Sequence, residues 1–207
     1  RDRFITREEI QAFFAALEDE PNSALRDLFF MLLVLGQRKS NTKCMRWDQI
    51  DVTRRVWTIP RTKNGTAHTV HLPDAAIAVL QRRREEEPPG EWVFPGRKPG
   101  THIANPDHAW RRLKARAGLQ GELWIHDLRR SLGSWQAANG ASLTIIGQSL
   151  GHKSLAASAI YARINLDPVR ESVDAAVNAM LAAAHPDAPE HASALPGAPV
   201  ALHHLTA

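Results

Sequence analysis

The stretch ALRDLFFMLLVLG, residues 24–36, constrains the rest of this chain most. Ser23 can cap it as a helix and Gly36 can end it. Such a helix is apolar nearly all round, so it must be buried, and other elements must cover it. The run FFMLLVL at 29–35 is far too short to span a membrane. A chain of 207 residues, 43% of them apolar, supplies enough for one domain with a real core. The N-terminal RDRFITREEI is charged and amphipathic, which excludes a signal peptide. Cys44 is the sole cysteine, so no internal disulfide forms and a cytoplasmic, reducing setting is expected.

The covering elements are legible from period and caps. Thr6 with Glu9 reads as a capping box, followed by Ile10, Phe13, Phe14 and Leu17 at helical spacing. A short third helix carries RKSNTKCM. The period then changes to two. VWTIP and HTVHL flank TKNGTA, where Asn64-Gly65 signals a two-residue hairpin, so a small antiparallel sheet is expected after the third helix. Pro73 and Asp74 open DAAIAVLQRRREEE as a helix, and a loop with one short strand at Trp92–Phe94 follows. Further helices are expected at about 106–117, 126–139, 142–150, 154–163 and 167–184, with Gly118, Gly140 and Gly151 as stops. The last carries Val169, Val173, Val177 and Leu181 on one stripe, suited to docking on its own core. The expectation is therefore an α+β, mainly helical domain over 1–184. From His185 the composition turns to Ala, Pro and His, giving a flexible tail over 185–207. The four histidines of that tail have no metal-site spacing.

The net charge of +4 and a pI of about 9.6 point to an anionic partner, nucleic acid first. Position says more than the sum. The cluster RRR at 82–84 is followed by EEE at 85–87, whereas the basic residues of 38–46, 61–63, 111–116 and 129–130 are not cancelled in this way.

Four places could carry chemistry. Arg38 follows a buried helix and a glycine break. Lys63 lies beside the Asn-Gly turn. His126 and Arg129 sit three apart at a helix start, on one face. His152 and Tyr161, the chain's single tyrosine, lie in SLGHKSLAASAIYARI. Each alone fits an ordinary structural role: a surface charge, a solvated lysine, a polar face, a cap, a packed ring. Together they suit a phosphodiester. Guanidinium forks match phosphate oxygens bidentately. Histidines bind the same group or move protons near neutral pH. A lysine on a hairpin can protonate a leaving oxygen, and an activated phenol is a nucleophile. No acidic ligand cluster occurs at any of the four places, so a metal-free mechanism without cofactors fits.

The residues resemble the catalytic domain of the tyrosine recombinase (phage-type integrase) family over about residues 4–180. GQRKSNTKCMRWDQID resembles the first arginine box, a G-x-R followed by an R-W-x-D-I-D ending. RTKNGTAHTVHLP resembles the lysine-bearing hairpin, HDLRRSLGSW the H-x-x-R box, and SLGHKSLAASAIYARI the L-G-H…Y box. The resemblance implies a catalytic set of Arg38, Lys63, His126, Arg129, His152 and Tyr161. It implies a site-specific recombinase that cuts and rejoins duplex DNA through a 3′-phosphotyrosyl link, without ATP or metal. It also implies self-association on DNA as a tetramer, packing of the last helix on a neighbouring subunit, accessory DNA-bending proteins as partners, and no membrane. The family usually carries an acidic residue three after the first arginine; here it is Asn41, whose side-chain oxygen can hold Arg38 with less charge. Most relatives also carry an N-terminal DNA-clamping domain, which this stretch of sequence does not contain. DNA contacts are expected from Arg61, Arg111, Arg112, Lys114, Arg116 and Arg130. The alternatives are a catalytically weakened DNA-binding member of the fold and a type IB topoisomerase-like enzyme.

Overall fold

The structure is a computed structural model and describes residues 3–60, 67–86, 90–151 and 167–184. It opens with α1 (Arg7–Glu18), where Thr6 N donates to Glu9 Oε2 at 3.1 Å as the capping box requires. The apolar helix follows as α2 (Ser23–Leu35). Its cap is Asn22 rather than Ser23: Asn22 Oδ1 accepts from Leu25 N at 2.9 Å, which places Ser23 as the first helical residue. From Leu28 to Leu35 no side chain is more than 2% exposed, so α2 is the axis of the molecule. Phe29 packs on Trp110 and Phe14 on Phe30 at ring separations of 5.5 and 6.0 Å.

After α3 (Lys39–Lys43) comes a three-stranded antiparallel sheet of β1 (Ile50–Asp51), β2 (Val56–Ile59) and β3 (His68–His71), in spatial order β1-β2-β3. Trp57 pairs with Val70 and both are buried; Thr58 pairs with Thr69 and both face solvent. The alternation is the period-two signal of the sequence made physical. The expected Asn64-Gly65 turn lies outside the described residues.

The helices α4 (Asp74–Glu86), α5 (Asp107–Arg116), α6 (Asp127–Ala138) and α7 (Leu143–Leu150) follow, then α8 (Asp167–Ala184). The expected strand at Trp92–Phe94 does not form. The segment makes two isolated bridges instead, Arg46 to Trp92 and Pro95 to His102. Val93 N donates to Met45 O, and Phe94 O accepts from Ile103 N, so the segment changes partners within two residues. Pro95 then has no N–H with which to continue a ladder.

One buried ion cluster fastens this crossing to the core. Asp27 on α2 and Arg83 on α4 are both fully buried, with Arg83 Nη1 3.1 Å from Asp27 Oδ2, and Arg83 Nε donates to Val93 O at 2.8 Å. Finally, α8 docks on its own chain. Val173, Val177 and Leu181 of the expected stripe are buried with Ala176 and Met180, against α1, α6 and α7. His71 Nε2 and Asp174 Oδ1, 3.0 Å apart, join β3 to α8. Thus β3 and α7 both meet α8. The helix expected at 154–163 and the tail over 185–207 lie outside the described residues.

Candidate active site

The site is built where α2 ends. Gly36 takes the left-handed conformation at φ 58°, which a residue with a side chain resists. There is also no room for one, since a Cβ would lie 2.7 Å from both Leu132 Cδ2 and Leu150 Cδ2. The chain therefore turns tightly between α6 and α7. Gln37, 2% exposed, locks that turn: its Nε2 donates to Leu35 O at 3.1 Å and to Ser149 O at 2.9 Å. Arg38 follows at once, at the N-terminus of α3.

Arg129 comes from α6 and is 4% exposed. Its Nη1 donates to Gly36 O at 2.8 Å, so the turn that places Arg38 also anchors Arg129. Burial first, and then the charge of Arg38, lower its pKa to about 10. It remains a cation at neutral pH. Among the described residues neither Arg38 nor Arg129 has a carboxylate partner. By contrast, Arg82 and Arg83 are both paired to Asp27, and Arg116 to Glu20. Asn41 does not close the gap. Its backbone N donates to Arg38 O at 2.9 Å, but its Nδ2 is buried without a hydrogen-bond partner among the described residues.

His126 immediately precedes α6 and is exposed. The turn beneath it is fixed by Asp127, whose Oδ2 accepts from Trp124 N at 2.8 Å and whose Oδ1 accepts from Arg130 Nη1 at 2.9 Å. Desolvation lowers the His126 pKa first, then the charges of Arg129 and Arg130; Asp127 opposes this and Arg38 adds to it.

A third histidine that the motif reading did not single out stands in the same field. His68 is the first residue of β3; burial first, and then the charges of Arg129 and Arg38, lower its pKa against the opposing Ser149 backbone, and its Nε2 is buried without a hydrogen-bond partner among the described residues. The available signal was period: Val70 and Leu72 are buried, so residue 68 shares their inward face. Gln37 and Ser149, which tie the turn together, carried no comparable signal.

The structure thus brings together the influence of Arg38, His126, Arg129 and His68 at the end of α2. Lys63, His152 and Tyr161 lie outside the described residues, as does Arg61. Of the other expected DNA contacts, Arg111 and Arg112 are exposed on α5, Lys114 is half-buried, and Arg130 is paired with Asp127. Arg116 is placed differently. Its Nη2 reaches Glu20 Oε2 at 3.1 Å and its Nε donates to Ala16 O at 3.0 Å, so its guanidinium joins α5 to α1. Among the described residues no group of acidic, histidine and cysteine side chains has the makings of a metal site. No described helix is long and apolar enough to cross a membrane.

The sequence profile of the phage integrase family matches residues 3–167. Tyrosine recombinase XerA of Pyrococcus furiosus is 27% identical over 180 residues, covering 83% of this chain and 61% of that protein. The integrase from mycobacterium phage Brujita has a similar structure, with a TM-score of 0.68 at 19% identity over 84% of this chain and 57% of that one. XerH site-specific recombinase bound to difH substrate, a pre-cleavage complex, gives a TM-score of 0.63 at 22% identity over 77% of this chain and 49% of that one. At such identities these structures show a shared fold. The chain spans 31–61% of the length of relatives such as XerA and the prophage integrase IntA of Escherichia coli.

Proposed function

Because this chain belongs to the phage integrase family, we propose that it breaks and rejoins duplex DNA at specific recombination sites through a 3′-phosphotyrosyl intermediate. The observation that carries the reading is the carboxylate-free arginine pair. Where Arg83 and Arg116 meet carboxylates, Arg38 on the turn and Arg129, anchored to it from α6, have none among the described residues. A phosphodiester supplies the missing charge, and guanidinium groups suit its oxygens.

In this reading the Tyr161 phenol oxygen attacks the scissile phosphorus and gives up its proton. The bond to the 5′ oxygen breaks, and Lys63 protonates that oxygen as it leaves. Arg38 and Arg129 stabilise the charge of the phosphorane, which is often the largest catalytic contribution. His126 and His152 hydrogen-bond the phosphate or take up the phenol proton. A 5′ hydroxyl from a partner duplex then attacks the phosphotyrosyl link, rejoins the strand and returns the proton balance. The ester energy is kept in the covalent link, so neither ATP nor a metal ion is required. Arg111 and Arg112 of α5 hold the DNA backbone, and strand exchange takes place in a tetramer assembled on DNA, with accessory bending proteins.

The test uses duplexes nicked beside a randomised arm, from which covalently captured DNA is recovered under denaturing conditions. The full chain is expected to form an adduct, and Tyr161→Phe none. A covalent band in Tyr161→Phe would overturn the assignment of the nucleophile. Supercoil relaxation without recombinant product would favour the topoisomerase-like reading. DNA retention without any adduct would favour the binder.

A further inference from the structure

We propose that His68 is a positioning residue for strand cleavage, clamping Gly151 and the last turn of α7 against the arginine-bearing turn. The inference rests on the recombinase reading above. Three observations carry it.

First, the ring fills the space beside Gly151. A Cβ on Gly151 would lie 3.0 Å from His68 Nε2 and 3.1 Å from both Cδ2 and Cε1. The imidazole therefore lies flat against the glycine, which itself takes the left-handed conformation at φ 65° and ends α7. Second, the Ser149 backbone, two residues earlier, acts on the same ring and opposes the lowering of its pKa, while Nε2 is buried without a hydrogen-bond partner among the described residues. Ser149 O accepts from Gln37 Nε2, and Ser149 Oγ donates to Gln136 Oε1 at 3.0 Å. The last turn of α7 is thus held from β3, from the Arg38-bearing turn and from α6 at once. Third, β3 is itself fixed, by Trp57 opposite Val70 and by His71 against Asp174 of α8.

His68 is consequently the point where the hairpin strand, the α2 turn and the α7 stop are keyed together. In sequence, Lys63 lies five positions before it, and His152 directly follows the glycine it covers. The charges that act on the ring are those of Arg129 from α6 and Arg38 from the α2 turn, against the Ser149 backbone from α7. Burial and the two cations keep the ring neutral. A neutral imidazole beside paired arginines packs without adding a third charge.

Two measurements on the full chain test this. Thermal melts of His68→Ala, Gly151→Ala and the double variant read the clamp itself and need no activity. Removing the ring makes room for the new methyl, so the double variant is expected to melt no lower than Gly151→Ala. Additive losses would overturn the clamp. The second measurement is adduct formation on the captured nicked duplex. His68→Ala is expected to slow adduct formation about tenfold at saturating DNA, with half-saturation within twofold of the parent. His68→Asn, whose flat amide keeps a polar group beside Gly151 and the Ser149 backbone, is expected to recover to within threefold. Parent-like rates in His68→Ala, or equal defects in both variants, would overturn the positioning role. Should His68→Ala not fold, His68→Leu replaces it, keeping bulk without the polar ring. An inactive parent chain would instead sink the recombinase reading, with the melts still deciding the clamp.

Discussion

Arg38 and Arg129 raise each other's cost of folding, and this has a measurable consequence. Burial and the neighbouring guanidinium bring the Arg129 pKa down to about 10, the mark of a charge that would be easier to hold elsewhere. Arg38→Gln is therefore expected to raise the melting temperature while lowering the cleavage rate by about a hundredfold or more, as removal of a preorganised charge-stabilising group does. An unchanged or lowered melting temperature would show that the two cations are not in conflict. Asn41 belongs to the same balance. Its unpartnered Nδ2 is the kind of buried group that costs about 1–3 kcal/mol, and Asn41→Asp would remove that donor and set a carboxylate three residues after Arg38. That variant is expected to be the more stable in urea. His126 provides a pH test. Its folded pKa lies below the ordinary 6.5, chiefly through desolvation. Between the two values the unfolded chain holds the extra proton, so stability rises with pH through that window and falls as pH drops from 6.5 towards the folded value. An NMR titration of the ring should find its midpoint below 6.5 and moved upward when orthovanadate or DNA occupies the site.

At the scale of elements, the turn between α2 and α3 does more than connect helices. Gly36 combines a left-handed backbone with contacts that leave no space for a methyl, and its carbonyl is the acceptor for Arg129. Gly36→Ala is expected to cost about 2–4 kcal/mol, the sum of backbone strain and overpacking, and to lose cleavage out of proportion to DNA binding. Calorimetry paired with gel shifts checks both halves. On α5 the exposed Arg111 and Arg112 make a simpler prediction. Replacing either with Ala should weaken DNA binding alike for all sequences and reduce the slope against log salt by roughly 1. Most elements were legible in the chain itself: the alternation around Trp57 and Val70, the Thr6–Glu9 box and the glycine stops all map onto observed boundaries. The Trp92–Phe94 segment was not. Its residues favour a strand, but pairing is supplied by two different distant segments, and no local pattern records that. The partner of Arg116 was illegible for a related reason. The basic helix face reads as a nucleic-acid surface until Glu20, buried just beyond the end of α1, is brought beside Arg116.

For the whole molecule, α8 is packed as part of the single core rather than as an arm extended to another copy. Val177 is fully buried there, and Asp174 meets His71 of the sheet. Val177→Asp should therefore unfold the chain with a loss of about 3 kcal/mol or more, and the parent's melting temperature should not depend on protein concentration. A strong concentration dependence would mean that subunit exchange, not internal docking, covers this helix. The sequence by itself determined the apolar axis at 28–35, the order of helices and strands, and the short boxes around Arg38, His126 and Arg129, because caps, period and motif spacing are properties of neighbouring residues. Only the tertiary structure decided which charges meet. That Arg129 hangs from Gly36, that Glu20 takes Arg116, and that His68 lies flat on Gly151 are contacts across 80 to 100 positions of chain. They follow from how α2 is wrapped, and no local pattern encodes a partner that the fold alone brings into range.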